Sequence, residues 1–315
     1  MRRFLFTLGL SFLLSCAAFA PSPRPAISGI ALVRFNVSDL GRAEEFYEHF
    51  LGLPRVGKPV SESGSTTTTR YLGCLASDAD CFLINPTQRL EVRVGDSAAG
   101  PMINVVGFLT SDARALHDYL ASRGINAGEL IHVSPQAVYF AAADPEQHHL
   151  VFFQSSGNYQ SSLGTPYSAA SSHMIHAGFV VHDRAAEDKF YKDILGFHVY
   201  WHGGMKEGED NWVDMQVPDG TDWIEYMLRV APDASHKTLG VMNHIALGVP
   251  DIHAAQQQLI KNGWRGTEEP KIGRDGKWQL NLYDPDETRV ELMEFKPTKE
   301  PCCSAYTGPH PGPQH

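Results

Sequence analysis

Four residues in the second half of the chain are of the types that hold divalent metal ions: His176, Glu225, His244 and Glu291. Glu225 follows His176 by 49 residues, and Glu291 follows His244 by 47. Each sits in a short apolar segment with strand-like alternation. Met174, His176, Gly178 and Val180 share one face, as do Met242, His244, Ala246 and Gly248. Trp223, Glu225 and Met227 share another, as do Arg289, Glu291 and Met293, because strand side chains alternate with period two. Ionisable groups set among apolar neighbours are costly unless paired or bound to a metal. Two neutral imidazoles with two carboxylates suit Zn, Ni, Fe, Mn or Co. Such an ion acts as a Lewis acid.

A single strand histidine is ordinarily a hydrogen-bonded core residue, so the weight of these four rests on an internal repeat. Phe35-Asn36-Val37-Ser38-Asp39, followed by Phe46-Tyr47 and Leu51-Gly52-Leu53, recurs as Phe179-Val180-Val181-His182-Asp183, then Phe190-Tyr191 and Leu195-Gly196-Phe197. Ser38 or Asp39 and Asp183 are expected helix caps, and Gly52 and Gly196 the left-handed residues that end those helices. A second pair runs from Val105 to Gly124 and from His244 to Gly263. Each member closes on a strand after Asp-Pro, at Asp144-Pro145 and Asp284-Pro285. With the strands at 199–201, 212–217 and 223–228, each unit reads as βαβββ. The chain is therefore expected to be α+β, with four βαβββ modules beginning near residues 28, 102, 173 and 241 and paired into two domains, 28–155 and 173–297. Residues 156–172, rich in Ser, Gly and Tyr, read as a linker.

Aligning the repeats puts His176 and His244 at one position of modules three and four, and Glu225 and Glu291 at another. Pseudo-two-fold pairing then brings all four to one point. The first half carries Leu32, Val105 and Val151 where the second carries His176, His244 and Glu291. It keeps only Glu91, at the place of Glu225, and is expected to be a scaffold without the metal ligands, with Glu91 solvated or salt-bridged.

The repeated modules and the first-strand His, last-strand Glu pattern resemble the vicinal oxygen chelate superfamily, which includes glyoxalase I, extradiol dioxygenases and bleomycin-resistance proteins. The resemblance covers roughly residues 28–297 and is most specific in the second half. It implies one divalent metal and a small substrate that chelates it through adjacent oxygens. The glyoxalase pattern, one His or Gln and one Glu from each module, fits position by position and implies isomerase or lyase chemistry, with Glu225 or Glu291 as the proton-shuttling catalytic base. The alternative is a ring-cleaving dioxygenase with a facial triad of His176, His244 and Glu291. Against it, no histidine lies between His253 and Glu291, Tyr283 stands directly before Asp284-Pro285, and Glu287 replaces the glycine usual after Asp-Pro-Asp. A third reading is a non-catalytic ligand-binding member of the superfamily.

The chain has 315 residues and a net charge of -10, with no basic stripe, so nucleic acid is not an expected partner. Arg2-Arg3, the apolar run Phe4–Leu14 and the small residues after it form an export signal over residues 1–20. Leu13-Leu14-Ser15-Cys16 resembles a lipobox, so membrane contact is expected only through a lipid on Cys16; Ala18-Phe19-Ala20 is the competing cleavage site. The expected location is periplasmic, with domain pairing within the chain and a homodimer left open. Export removes the cytosolic substrates glutathione and coenzyme A thioesters. Cys74 and Cys81 have a spacing that fits a hairpin disulfide. The Pro-rich tail 298–315, with Cys302-Cys303, His310 and His315, is expected to be extended over the surface or disordered. His148-His149, Trp201-His202-Gly203-Gly204 and Arg274-Asp275-Gly276-Lys277-Trp278 read as turns or pocket rims.

Overall fold

The computed structural model describes residues 23–56, 74–95, 102–134, 137–155 and 169–314. The expected export signal at 1–20, with Cys16, and most of the expected linker lie outside them.

Module one runs β1 (Ile27–Val37), α1 (Leu40–Glu44) continued by a π-helical turn (Glu45–Phe50), β2 (Arg55–Val56), β3 (Ala79–Asn85) and β4 (Gln88–Val94). Module two is β5 (Ile103–Thr110), α2 (Ala113–Ser122), β6 (Ile131–Ser134), β7 (Ala137–Ala143) and β8 (His149–Ser155). Module three is β9 (Met174–Val180), α3 (Arg184–Asp188) with its π turn (Lys189–Ile194), β10 (His198–Gly203), β11 (Trp212–Gln216) and β12 (Trp223–Met227). A helix that the sequence pattern does not announce, α4 (His236–Met242), precedes module four. That module is β13 (His244–Val249), α5 (Ile252–Lys261), β14 (Lys271–Ile272), β15 (Trp278–Tyr283) and β16 (Arg289–Glu294).

The βαβββ pattern holds in all four modules. Asp39 and Asp183 cap their helices by accepting from Arg42 N and Ala186 N, and Gly52 and Gly196 have φ of 71° and 80°. Modules one and two form one eight-stranded sheet, ordered β2-β3-β4-β1-β5-β8-β7-β6. Modules three and four form the other, ordered β10-β11-β12-β9-β13-β16-β15-β14. In each sheet the first strands of the two modules meet antiparallel at the centre, β1 with β5 and β9 with β13. Each is flanked by the last strand of its own module, running parallel. That order makes the pseudo-two-fold axis, because equivalent first-strand residues face each other across it. The helices cover the apolar faces, where Phe46, Tyr47, Phe190, Tyr191 and Leu259 enter one continuous core.

The two sheets are fastened reciprocally. Tyr47 OH donates to Asp284 Oδ2 at 2.9 Å, and Tyr191 OH donates to Asp144 Oδ2 at 3.1 Å. Each tyrosine comes from the π turn after one sheet's helix, and each aspartate from the Asp-Pro turn of the other sheet. Glu287 does not break its turn. It sits at φ 66°, as Gln147 does at 69° in the equivalent turn, a left-handed conformation uncommon outside glycine.

The tail from Thr298 to Gln314 lies extended over the surface, one of the two courses expected, and forms neither helix nor strand. It docks on β10 and β11 through Thr307 N to Tyr200 O, Ser304 Oγ to His202 O, and Gln216 Nε2 to Pro309 O. Cys302 and Cys303 are bonded to each other rather than to a metal or another thiol, and His310 Nδ1 contacts the Tyr200 hydroxyl. Prolines lack an N–H but leave carbonyls free to accept, which is how this segment is held. Cys74 and Cys81 form the disulfide that their spacing suggested, with Cα atoms 5.6 Å apart.

Candidate metal centre

The central strand pairing fixes the geometry of the site. In the β9–β13 ladder, His244 stands opposite Gly178 and Ala246 opposite His176. Each imidazole therefore projects beside a small residue on the partner strand. β12 and β16 run parallel on either side and place Glu225 level with Gly178, and Glu291 level with Ala246. The four residues predicted from the repeat are brought together. His176 Nε2 lies 3.0 Å from His244 Nε2. Glu225 Oε2 lies 3.0 Å from His244 Nε2 and 3.8 Å from His176 Nε2, and Glu291 Oε2 lies 3.8 Å from His176 Nε2. Donor atoms of His176, His244 and Glu291 all lie within 4.8 Å of one another.

The protonation states suit a metal. Burial, reinforced by the Arg289 guanidinium, holds both imidazoles well below their ordinary range, so both are neutral. His244 Nδ1 stands 3.1 Å from Met242 O, an acceptor, so Nδ1 carries the hydrogen and Nε2 presents its lone pair to the site. Arg289 Nη2 donates to that Nε2 at 2.6 Å. His176 is set instead by its ring packing on Trp223, with Nδ1 buried and without a partner. Burial pushes Glu225 and Glu291 up to about 7, because desolvation disfavours the charged carboxylate. Two neutral nitrogens and two desolvated carboxylates converging at contact distance fit a divalent ion of the zinc, nickel, iron or manganese type.

The surrounding residues were legible only in part. Across the antiparallel ladders, Asp214 faces Glu225 and Asn281 faces Glu291, a repeat-related pair. Burial, with Glu225 beside it, raises Asp214 well above the carboxylate range. Its signal was an aspartate in mid-strand between Val213 and Met215, which the repeat comparison passed over. Lys277, expected only at a hairpin rim, is fully buried. Its Nζ has no hydrogen-bond partner and lies 4.4 Å from the Trp223 ring centroid and 5.2 Å from those of Tyr200 and Tyr306. It is held by ring faces and by the charges of Asp275, Asp214, Glu291 and Glu225. Tyr306 belongs to the tail, so that segment completes the wall of the cage. Tyr283, by contrast, is 41 % exposed and does not enter the site.

The first half shows how the same frame is filled without a metal. Leu32, Val105 and Val151 form one buried apolar cluster where the second half has His176, His244 and Glu291. Glu91 is fully buried rather than solvated. It is salt-bridged to Arg34 Nη2 at 2.6 Å and Arg89 Nε at 3.1 Å, and its Oε1 accepts from Leu75 N at 2.7 Å. Arg34 occupies the place of Gly178, so a guanidinium stands where the second half leaves room for an imidazole.

Residues 173–292 match the model of the Glyoxalase/Bleomycin resistance protein/Dioxygenase superfamily. A lactoylglutathione lyase of Haemophilus influenzae is 27 % identical over 128 residues, covering 40 % of this chain and 95 % of that protein. A variant of homoprotocatechuate 2,3-dioxygenase from B. fuscum superposes with a TM-score of 0.63 at 18 % identity, covering 86 % of this chain and 72 % of that one. The 2,3-dioxygenase LapB from Pseudomonas sp. KL28 gives 0.57 at 17 % identity, covering 93 % and 96 %. At these identities the structural likeness is one of fold, and it spans both sheets.

Proposed function

Residues 173–292 are a domain of the Glyoxalase/Bleomycin resistance protein/Dioxygenase superfamily, and on that premise we propose that this chain is a metal-dependent enzyme acting on a small substrate with adjacent oxygens, by glyoxalase-like isomerase or lyase chemistry. The observation that carries the reading is the convergence of His176, Glu225, His244 and Glu291 on one buried point. His176, Glu225, His244 and Glu291 would hold the ion. When bound, the ion supplies Lewis acidity to the substrate's oxygens.

The chain's own contribution is proton handling and exclusion of water. Glu225 is the better base of the two glutamates, since its side chain is 13 % exposed against 4 % for Glu291. Burial also tunes its proton affinity to about 7, where a carboxyl both takes and returns a proton at neutral pH. Lys277 and Arg289 offset the carboxylates and favour a substrate whose charge becomes more negative as a proton is removed. An exported location follows from residues 1–20 alone and points to substrates other than thioesters of glutathione or coenzyme A.

A ring-cleaving oxygenase is the second reading, favoured by the self-contained grouping of His176, His244 and Glu291 and by the four-module likeness to the 2,3-dioxygenases. Glu225→Ala separates the two. In a four-ligand proton-transfer site the variant loses metal affinity and activity together. In a triad oxygenase it keeps its metal and consumes oxygen with catechols. Metal retention with catechol-dependent oxygen uptake overturns the first reading.

A further inference from the structure

The two Tyr–Asp fastenings between the sheets are repeat-related, but their surroundings differ in chemistry. At the junction of module four with module one, Asp284 receives Tyr47 OH, and its neighbours at the equivalent positions are Thr288 and Ala43. At the junction of module two with module three, Asp144 receives Tyr191 OH, and the same positions hold His148 and Glu187. Fastening the sheets therefore requires neither an imidazole nor a carboxylate at these two positions, and only one junction has them there.

There they are packed as donors. An oxygen of Asp144, a ring nitrogen of His148 and an oxygen of Glu187 lie within 4.8 Å of one another. His148 Nδ1 is 2.7 Å from Asp144 Oδ2. Glu187 is fully buried; Oε1 accepts from Glu146 N at 2.9 Å, while Oε2 has no partner. A separate element, β12, buries the hydroxyl of Tyr226 here, also without a partner, and Glu187 and Asp144 both act on it.

We propose that Asp144, His148 and Glu187 form a second divalent-metal site, separate from the His176–His244 centre, which clamps the Asp-Pro turn of module two to helix α3 of module three. One imidazole and two carboxylates suit zinc or a similar borderline ion. The His148 ring, 19 % exposed, gives the way in.

The test is metal stoichiometry on the full chain, stripped with chelator and dialysed against Zn²⁺. Wild type is expected to hold two equivalents. Glu187→Gln and, separately, His148→Thr (the residue of the other junction) are each expected to hold one, and so is His244→Gln, which empties the other centre. Glu187→Gln with His244→Gln is expected to hold none. If one variant fails to fold, far-UV circular dichroism shows it and the other decides. The proposal is overturned if wild type holds a single equivalent that His244→Gln abolishes, or if Glu187→Gln and His148→Thr bind as much zinc as wild type. Neither result touches the His176 centre.

Discussion

Gly178 stands directly opposite His244 in the β9–β13 ladder, and a Cβ at 178 would lie 2.1 Å from His244 Cε1. The space that admits the ligand ring is thus the missing side chain of its cross-strand neighbour. Gly178→Ala should displace the imidazole while leaving the sheet paired. Metal affinity, measured by competition with a chromogenic chelator, should fall about 10–100-fold, the cost typical of disturbing a ligand's orientation. Unchanged affinity would show that the ring has another seat.

Arg289 occupies the Nε2 lone pair of His244 that a metal needs. The guanidinium is also a positive charge close to the site, and like charges repel more strongly where water is excluded. Arg289→Met should therefore bind divalent metal about tenfold more tightly, even as turnover drops. Weaker metal binding in that variant would mean that Arg289 orders the site rather than competing for it.

His173 lies between two acceptors, Asp222 Oδ1 at 2.7 Å and Gly312 O at 2.6 Å. Burial alone would lower its proton affinity, but the Asp222 bond and charge outweigh that and the net shift is upward. A histidine whose folded value is raised adds stability that is complete below the unfolded value of about 6.5 and lost as pH rises through the folded one. Wild type should lose this contribution as pH rises from 6 to 9, and His173→Gln should lose none of it. Denaturant unfolding at the two pH values checks it; parallel losses would refute it.

The tail closes the cage around Lys277. Ending the chain at Glu300 removes Tyr306, which stacks on Tyr200 with ring centroids 4.7 Å apart and donates to Asp275 O. It also removes the Cys302 carbonyl that receives Trp201 Nε1. The loss of aromatic burial and bonded partners should cost on the order of 2–4 kcal/mol. It should also quench the burial-dependent emission of Trp201. A truncated chain as stable as the full one would make the tail dispensable.

The candidate metal ligands were legible because a repeat supplied its own control. His176 and His244 at one repeat position, and Glu225 and Glu291 at another, stand out against Leu32, Val105 and Val151 in the first half. The βαβββ modules were legible for the same reason, helped by Asp39, Asp183, Gly52 and Gly196 at the helix ends. Lys277 was not, since a lysine after Asp275-Gly276 reads as a solvated turn residue and nothing local buries it. Its burial comes from Trp223, Tyr200 and Tyr306, which lie 54 and 77 residues before it and 29 after it in the chain. The tail's extended course was legible from its prolines, but local composition says nothing of the distant groups that hold it.

By itself the sequence determined which residues carry donor atoms, which strand face each occupies, and that two copies of the pattern exist. Those are properties of period and spacing, set within a few residues along the chain. Tertiary structure alone decided that the donors meet at 3.0–3.8 Å and that Glu91 is neutralised by Arg34 and Arg89. It also decided that Asp144, His148 and Glu187 gather at one junction and not at the other. Protonation, charge balance and metal affinity depend on the solvent excluded by residues far away in the chain, and no local pattern encodes that.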